Sequence, residues 1–396
     1  MKNWRGEAYV FCADEPGMRI DATIEPEPTR DLAGVFYLPV KKGFWEKFVD
    51  SVSHKYWRRL WNRRNLVPDR YGSWRKDVIR TVLAKIESGQ WDPDAIVTFA
   101  QPFSDHLIGL ELKRRLGLPW LAHFSDPWAD NPFTPYDRQT LALNLELERR
   151  VAENADLLAF TSAETIDLFC RKYPEMVRQK ARVLPQCFDV KRFSSDGRPT
   201  TDRLRIRYLG NFYGGRTPRP LISGLTKIYE RDPDSLRGVS FELIGAGDLD
   251  EVAALTRELP NGLVSARSSV DYSESLCLMT EADGLMVIDA PSDLSVFLPS
   301  KLIDYIGSGR PIFGLTPKGT AADLINKLGG SVADPSDESA IAEGIAAFIG
   351  QLRSRRTRSQ PMPWGESSVR HRFSVENVVE EFDRLLAELK ALSHDA

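Results

Sequence analysis

The chain has 396 residues, of which 42% are hydrophobic and 28% are charged, and its net charge is −3 at pH 7. This composition excludes a disordered chain, and the near balance of charges gives no global argument for binding a polyanion. Neither an apolar run of about 18 residues nor a signal-peptide pattern is present, so we expect a cytoplasmic protein. The four cysteines form no C-x-x-C pair, which predicts that there is no zinc site.

Short apolar runs alternate with longer amphipathic stretches along the chain, which is the rhythm of parallel βα units. The strands predicted in the first half are 9–13, 34–39, 96–100, 120–124, 157–160 and 182–184. A polar stretch covers 189–203, and the strands predicted after it are 204–209, 239–244, 284–288, 311–315 and 331–333. Apolar residues at helical spacing over 374–393 predict a closing helix.

This pattern predicts an α/β protein with two doubly wound, Rossmann-like domains. The first domain is expected to span 1–190, the second 200–370, and the closing helix with its tail 371–396. Residues 1–6 have the pattern of the middle of a helix, so either the start of the sequence is truncated or misassigned, or the first domain lacks its first strand. Ligands of open parallel sheets bind beyond the carboxyl ends of the strands, so the residues that follow each strand are the candidates for function.

The strand predicted at 120–124 leads into a loop with ionisable residues. His123 lies at the strand end and Asp126 in the loop, where a proton shuttle and a carboxylate for an acceptor hydroxyl would face a cleft. The alternative is a satisfied strand-end histidine and a turn residue before Pro127. After the strand at 96–100, Ser104 is expected to cap a helix that starts at Asp105.

In the second half, a glycine-containing loop follows the strand predicted at 204–209. Gly210 and Gly215 would let the backbone approach a phosphate, and Arg216 would bind it with two parallel hydrogen bonds. The alternative is a flexible turn with a solvated arginine. Residues 245–250 match only the start of a dinucleotide fingerprint, because Asp250 stands at the third glycine position, so no nicotinamide cofactor is expected.

The segment 297–311 predicts a short helix that is opened by Pro299 and Ser300 and followed by a glycine exit. Free amides at the start of this helix, with Lys301 beside them, would form an anion site. Asp304, one turn further on, would accept hydrogen bonds from ribose hydroxyls. The alternative is an ordinary helix with a solvated lysine.

The segment 41–76 is strongly basic, with 11 lysines and arginines against 3 acidic residues, and it holds four of the nine tryptophans. A basic amphipathic helix with interfacial aromatic residues is typical of proteins that rest on anionic lipid. The residues expected at this membrane or acceptor surface are Trp45, Trp57, Arg58, Arg59 and Trp61. One alternative is a helix that packs on its own domain, and another, which the overall charge does not favour, is binding of single-stranded nucleic acid.

Four segments carry a resemblance to a known family through their order and spacing. They are 119–128 (PWLAHFSDPW), 183–189 (VLPQCFD), 270–283 (VDYSESLCLMTEAD) and 299–311 (PSKLIDYIGSGRP). Together they resemble GT-B glycosyltransferases of the bacterial retaining family 4-like group, which builds surface polysaccharides. The resemblance covers nearly the whole chain.

The resemblance implies a nucleotide-sugar donor held by the second domain and an acceptor held by the first, with no required metal and no cofactor. Arg216 and Lys301 would neutralise the donor diphosphate, and Asp304 would hold the ribose. The acceptor side would carry the candidate catalytic residues His123 and Asp126. Together with the loop glycines and the helix start described above, the expected donor-binding residues are Gly210, Gly215, Arg216, Ser300, Lys301 and Asp304.

Two departures from the family pattern bear on the donor. Many members carry two glutamates separated by seven residues, whereas Val296 and Asp304 stand at these positions here. The turn between the domains has Gln186 and Cys187 where asparagine and glycine are usual.

The function expected is transfer of a sugar, with retention of configuration, from a nucleotide-diphosphate donor to a glycan or lipid-linked acceptor. The expected location is cytoplasmic, with peripheral contact at the inner face of the membrane, and no nucleic acid is expected as a partner. Two alternatives are a nucleotide-sugar epimerase and a catalytically silent GT-B protein that acts as a partner.

Overall fold

A computed structural model describes residues 6–15, 32–41, 66–132, 134, 136–193, 202–212, 215–357 and 363–394. The chain divides into two units, of which the first comprises Met1–Pro185 with Val379–Ala396 and the second Gln186–Val378. Most of the last helix of the chain therefore belongs to the first unit.

Parallel strands form two sheets in the described part of the first unit. The strands are β1 (Tyr9–Asp14), β2 (Gly34–Pro39), β3 (Ile96–Ala100), β4 (Trp120–Phe124), β5 (Leu157–Phe160) and β6 (Ala181–Val183). β1 pairs with β2, and the other four form a sheet in the order β3-β4-β5-β6. The helices are α1 (Gly72–Glu87), α2 (Ser104–Leu116), α3 (Arg138–Asn154), α4 (Ala163–Cys170) and α5 (Glu175–Gln179).

Trp120, at the start of β4, organises the core of the first unit. Its side chain is fully buried, and its indole N–H donates to Thr98 Oγ1 at 2.9 Å. Thr98 Oγ1 is in turn 2.8 Å from Nδ1 of His106, whose pKa burial lowers to about 3. On α2, Gly109 faces the indole so closely that an added Cβ would overlap it. The glycine thus lets helix and strand approach each other.

The second unit contains one six-stranded parallel sheet. Its strands are β7 (Leu204–Leu209), β8 (Val239–Ile244), β9 (Val264–Arg267), β10 (Gly284–Ile288), β11 (Ile312–Leu315) and β12 (Ser331–Ala333), in the order β12-β11-β10-β7-β8-β9. The helices are α6 (Arg219–Arg231), α7 (Leu249–Leu255), α8 (Tyr272–Glu281), α9 (Ser300–Ser308), α10 (Thr320–Lys327), α11 (Glu338–Thr357) and α12 (Ser367–His371), and α13 (Val375–His394) crosses into the first unit.

The six-stranded sheet is covered on both faces. Met286 and Ile288 of β10 join one hydrophobic cluster with residues of α6 and α11, while Leu285 and Val287 join another with residues of α8, α9 and α10. Because side chains alternate along a strand, a strand buried on both faces is apolar throughout. The continuous apolar runs in the sequence have this origin.

The predicted α/β fold class, with doubly wound parallel sheets, is confirmed. Each predicted strand is present to within one residue at either end, and the predicted closing helix is α13. The sequence analysis missed β9, which lies at the edge of its sheet and alternates between half-buried and exposed residues. It also gave no indication that β1 and β2 pair apart from the other strands of the first unit.

Candidate functional site

The second unit brings a lysine and a glycine together at the carboxyl edge of its sheet. Gly210 follows β7, and Lys301 is the second residue of α9. The Lys301 ammonium donates to the hydroxyl of Tyr208 at 3.0 Å and lies 4.4 Å from the centre of that ring. A Cβ at residue 210 would overlap Lys301 Nζ, and φ of Gly210 is +150°. The glycine therefore leaves open the space that the ammonium occupies.

Arg216 lies in the same cluster and forms an ion pair with Asp289. Its Nη2 is 3.0 Å from Asp289 Oδ1, and the two side chains are only 10% and 7% exposed. The other oxygen of Asp289 accepts a hydrogen bond of 2.9 Å from the hydroxyl of Thr316. Asp289 follows β10 and Thr316 follows β11, so both belong to the sheet edge at which Gly210 lies.

The two cations influence each other. The pKa of Lys301 falls to about 8, first because the ammonium is buried and second because Arg216 repels the proton, while Asp289 opposes the shift. An ammonium with this pKa is charged at neutral pH and is held without a carboxylate hydrogen-bonded to it in the described part of the chain. Such a group binds an anion readily.

The start of α9 adds backbone donors to the cluster. The helix begins at Ser300, Pro299 precedes it, and no side chain caps its first turn. Amides at a helix N-terminus attract negative charge because of their orientation and the helix dipole. The predicted residues Gly210, Ser300 and Lys301 thus lie at one sheet edge, and Gly215 and Arg216 belong to the loop that follows β7.

Asp304 lies one turn along α9 and has a partner that the sequence analysis did not find. The hydroxyl of Tyr272 donates to Asp304 Oδ1 at 3.0 Å, and the Arg192 guanidinium lies 5.1 Å from the centre of the tyrosine ring. Burial raises the pKa of Asp304 to about 6, although the hydrogen bond from Tyr272 and the charge of Arg192 act in the opposite direction. This carboxylate can accept hydrogen bonds from hydroxyl groups.

In the first unit, His123 is buried at the end of β4. Its Nε2 donates to the carbonyl of Leu184 at 2.9 Å, it is 5% exposed, and its ring centre lies 5.2 Å from that of Phe99. Burial lowers the pKa of His123 and so favours the neutral imidazole. Its predicted catalytic role stays a prediction.

Asp126 is half-buried in the loop after β4. The loop is fastened to α3, because the indole N–H of Trp128 donates to Asn144 at 2.8 Å and the amide of Ala129 donates to Glu148 at 2.7 Å. These hydrogen bonds hold the loop that carries Asp126. The role of Asp126 toward an acceptor stays a prediction.

The helix after β3 begins differently from the prediction. α2 starts at Ser104 itself, and the carboxylate of Asp69 accepts hydrogen bonds from the Ser104 amide at 2.8 Å and from its hydroxyl at 2.5 Å. The adjacent Asp105 accepts from the Phe99 amide at 2.6 Å, and burial raises its pKa to about 7. Sequence spacing did not reveal Asp69, which is far from α2 along the chain.

The surface residues predicted for membrane or acceptor contact lie outside the described residues. They are Trp45, Trp57, Arg58, Arg59 and Trp61. No helix within the described ranges is long and apolar enough to cross a membrane. Among the same residues, no group of three or more His, Cys, Asp or Glu side chains is arranged to hold a metal ion.

Comparison with solved structures identifies the architecture. HepE from Anabaena, in a crystal structure with UDP and glucose, is 14% identical with a TM-score of 0.63, and the match covers 96% of this chain and 99% of that chain. A glycosyltransferase from Rickettsia africae is 12% identical with a TM-score of 0.61, covering 97% and 98%. Sucrose-phosphate synthase from Thermosynechococcus elongatus is 18% identical with a TM-score of 0.58, covering 78% and 76%.

At these identities the likeness concerns the fold, which is the GT-B type of α/β architecture. No protein-family model matches the chain, and no curated protein sequence matches it. A fold hosts many functions, so the chemistry has to be argued from the residues at the sheet edge.

Proposed function

We propose that this protein is a glycosyltransferase that moves a sugar from a nucleoside-diphosphate donor to a glycan or lipid-linked acceptor, with retention of configuration. The observation that carries the proposal is the placement of Lys301 and Asp304 one turn apart on α9, at an uncapped helix start. A cation that suits a phosphate and a carboxylate that suits a ribose thus lie one helical turn apart. Solved structures of this fold include one described with UDP and glucose.

In the proposed reaction, the bond between the anomeric carbon and the terminal phosphate oxygen breaks, and its electron pair stays on that oxygen. The acceptor hydroxyl oxygen forms the new bond to the anomeric carbon, and its proton passes to the departing phosphate. Negative charge grows on the phosphate in the transition state, so Lys301 and Arg216 lower the barrier because they are already in place. Their burial strengthens this effect, since little water screens them.

The first experiment is thermal unfolding of the purified chain with a panel of nucleoside diphosphates. A ligand present at about 100 times its dissociation constant adds about 2.7 kcal/mol to the free energy of unfolding. We expect one nucleoside diphosphate to raise Tm clearly and thereby to identify the base. If none raises Tm, the proposed donor site is wrong.

The second experiment measures sugar transfer in variants. Arg216→Ala and Lys301→Ala should each lower transfer by about 10- to 1000-fold, the scale of losing one group that stabilises a developing charge. Lys227→Ala is the matched control, because Lys227 is a partly exposed lysine of the same unit that pairs with Glu338. Transfer at the wild-type rate in both site variants would refute the assignment.

We further propose that the basic segment 41–76 brings the protein to anionic membranes, where a lipid-linked acceptor would be found. Two features of the segment support membrane binding: it has 11 basic residues against 3 acidic ones, and it holds four tryptophans. Sedimentation with anionic liposomes should be strong at low salt and weak at high salt, and neutral liposomes should not reproduce it. Equal recovery in the supernatant with both lipid types would contradict this proposal.

A further inference from the structure

Asp289 is a carboxylate within a site that is otherwise suited to anions. Its Oδ1 lies 3.0 Å from Arg216, and its charge also acts on Lys301. The proposed function gives roles to the two cations but none to this negative charge, which repels any phosphate bound beside it. Its presence therefore needs a separate explanation, which rests on the proposed function.

The surroundings of Asp289 fix it in place. Its amide donates to the carbonyl of Leu315 at 2.8 Å, which ties its backbone to the neighbouring strand. Its second carboxylate oxygen accepts from Thr316, and the residue is 6% exposed. Both oxygens have partners and the backbone belongs to a sheet edge, so these contacts hold the carboxylate beside the two cations.

A fixed negative charge acts unequally on donor and product. In a nucleotide sugar the terminal phosphate is esterified, whereas the released nucleoside diphosphate can lose one further proton, with a pKa of about 6. Above that pH the product carries one more negative charge than the donor. The carboxylate repels that additional charge, so it weakens product binding more than donor binding.

We propose that Asp289 is a positioning and selectivity residue, which holds the Arg216 guanidinium in place and disfavours the released nucleoside diphosphate relative to the sugar donor. The balance of the reaction agrees with this role. The departing phosphate takes the acceptor's proton and then loses it to solvent, and it is the resulting more highly charged product that Asp289 repels. Asp289 thereby favours product release and weakens binding of the donor to a smaller degree.

The test compares binding of matched pairs by calorimetry at about pH 7, above the phosphate pKa of about 6 and below the Lys301 pKa of about 8, using UDP with UDP-glucose, GDP with GDP-mannose and ADP with ADP-glucose. The pair that binds the wild type is then titrated into Asp289→Asn. The quantity compared is the ratio of the affinity for the diphosphate to the affinity for its sugar derivative. Removing the charge should raise this ratio by about 10-fold. If no pair binds the wild type, both this inference and the proposed donor site fail. If a pair binds and the ratio stays within about 2-fold, only this inference fails.

Two further variants separate charge from structure. Asp289→Glu keeps the charge and should keep the wild-type ratio. Asp283→Asn is the matched control, because Asp283 directly precedes the same strand, at its amino end, and lies 3.8 Å from Arg356. Its removal should leave the ratio unchanged, and a shift equal to that of Asp289→Asn would overturn the proposal.

Removal of Asp289 alone leaves Arg216 buried without this carboxylate, which could prevent folding. The double variant Arg216→Gln with Asp289→Asn replaces the ion pair by two neutral side chains and is compared with Arg216→Gln alone. The same shift of about 10-fold in the ratio is expected between these two. A merely structural role for Asp289 predicts no shift in either background, since structural damage weakens both ligands alike.

Discussion

The ammonium of Lys301 occupies the space beside Gly210 in which the Cβ of any other residue would stand. The loop after β7 and the start of α9 are distant along the chain. They contact each other at residue 210 because this residue has no side chain. The ammonium that stands in this gap donates to the hydroxyl of Tyr208. The glycine and the lysine act as one feature of the site.

Gly210→Ala should weaken nucleoside-diphosphate binding by about 10-fold, because it displaces Lys301 and removes one charge-assisted contact. The matched control is Gly238→Ala, since Gly238 also has a positive φ, of 71°, but no atom within 4 Å of an added Cβ. The control is a glycine substitution at positive φ that leaves the space beside Lys301 unchanged. Equal binding constants for the two variants would contradict the steric argument.

The affinity for a nucleoside diphosphate should fall above about pH 8. The pKa of Lys301 is lowered to about 8, so the free site loses its ammonium charge above that pH, whereas a bound anion favours the charged form. Titration calorimetry between about pH 7 and pH 9.5 should show a decrease of up to about tenfold per pH unit. Lys301→Arg, which stays charged throughout, should abolish this decrease, and its persistence in that variant would assign it to another group.

Asp304→Asn should stabilise the fold at neutral pH while weakening nucleotide binding. The pKa of Asp304 is raised to about 6, so between about pH 4 and pH 6 the folded chain keeps a proton that the unfolded chain has lost. The free energy of unfolding therefore falls as the pH rises through this window, and the loss is complete above it. The substitution should recover about 1–3 kcal/mol at pH 7.5 and little at about pH 4.

The measurement is thermal unfolding at both pH values, with and without the nucleoside diphosphate. Asp234→Asn, which changes a carboxylate that is 81% exposed, is the control and should behave alike at both pH values. A stabilised variant that still binds nucleotide like the wild type would remove the role of Asp304 toward ribose.

Gly109→Ala should destabilise the first unit by about 1–3 kcal/mol, because the new methyl group overlaps the indole of Trp120 in a filled core. Gly350→Ala makes the same change in α11, where nothing lies within 4 Å of an added Cβ. That control should stabilise the chain by about 0.5–1 kcal/mol through helix propensity. Thermal unfolding followed by circular dichroism compares the two, and similar values would show that the core adapts at Trp120.

Much of the fold could be predicted because buried parallel strands have a simple signature. β4, β5 and β10 are buried along their whole length; β5 and β10 appear in the sequence as apolar runs, and the run of β4 is interrupted only by His123. β9 has no such run, since an edge strand contacts a neighbour on one side only. The pairing of β1 with β2 alone depends on contacts between distant segments, which no local pattern contains.

The candidate site was predictable to the extent that its residues follow strands or begin a helix. Gly210, Arg216 and Lys301 satisfied that rule, and Asp289 also follows a strand but carries a charge opposite to the one sought. Tyr272 also begins a helix, but no local pattern pairs it with Asp304, and Arg192 neither directly follows a strand nor begins a helix. Tyr272 contacts Asp304 from α8, and Arg192 lies over the Tyr272 ring from a short 3-10 helix at 190–192. Only the tertiary structure brings these segments together.

The last helix has a consequence for how the chain is made. Leu385 and Leu389 of α13 are almost completely buried, and Lys390 and Glu388 form ion pairs with Asp94 and Arg182 of the first unit. During translation the first unit emerges early, yet the helix that covers this part of its core leaves the ribosome only after the whole second unit. Until the last helix has been synthesised, the apolar surface of the first unit that it covers stays exposed to solvent. A premature stop before residue 375 would leave this surface exposed permanently, which favours aggregation.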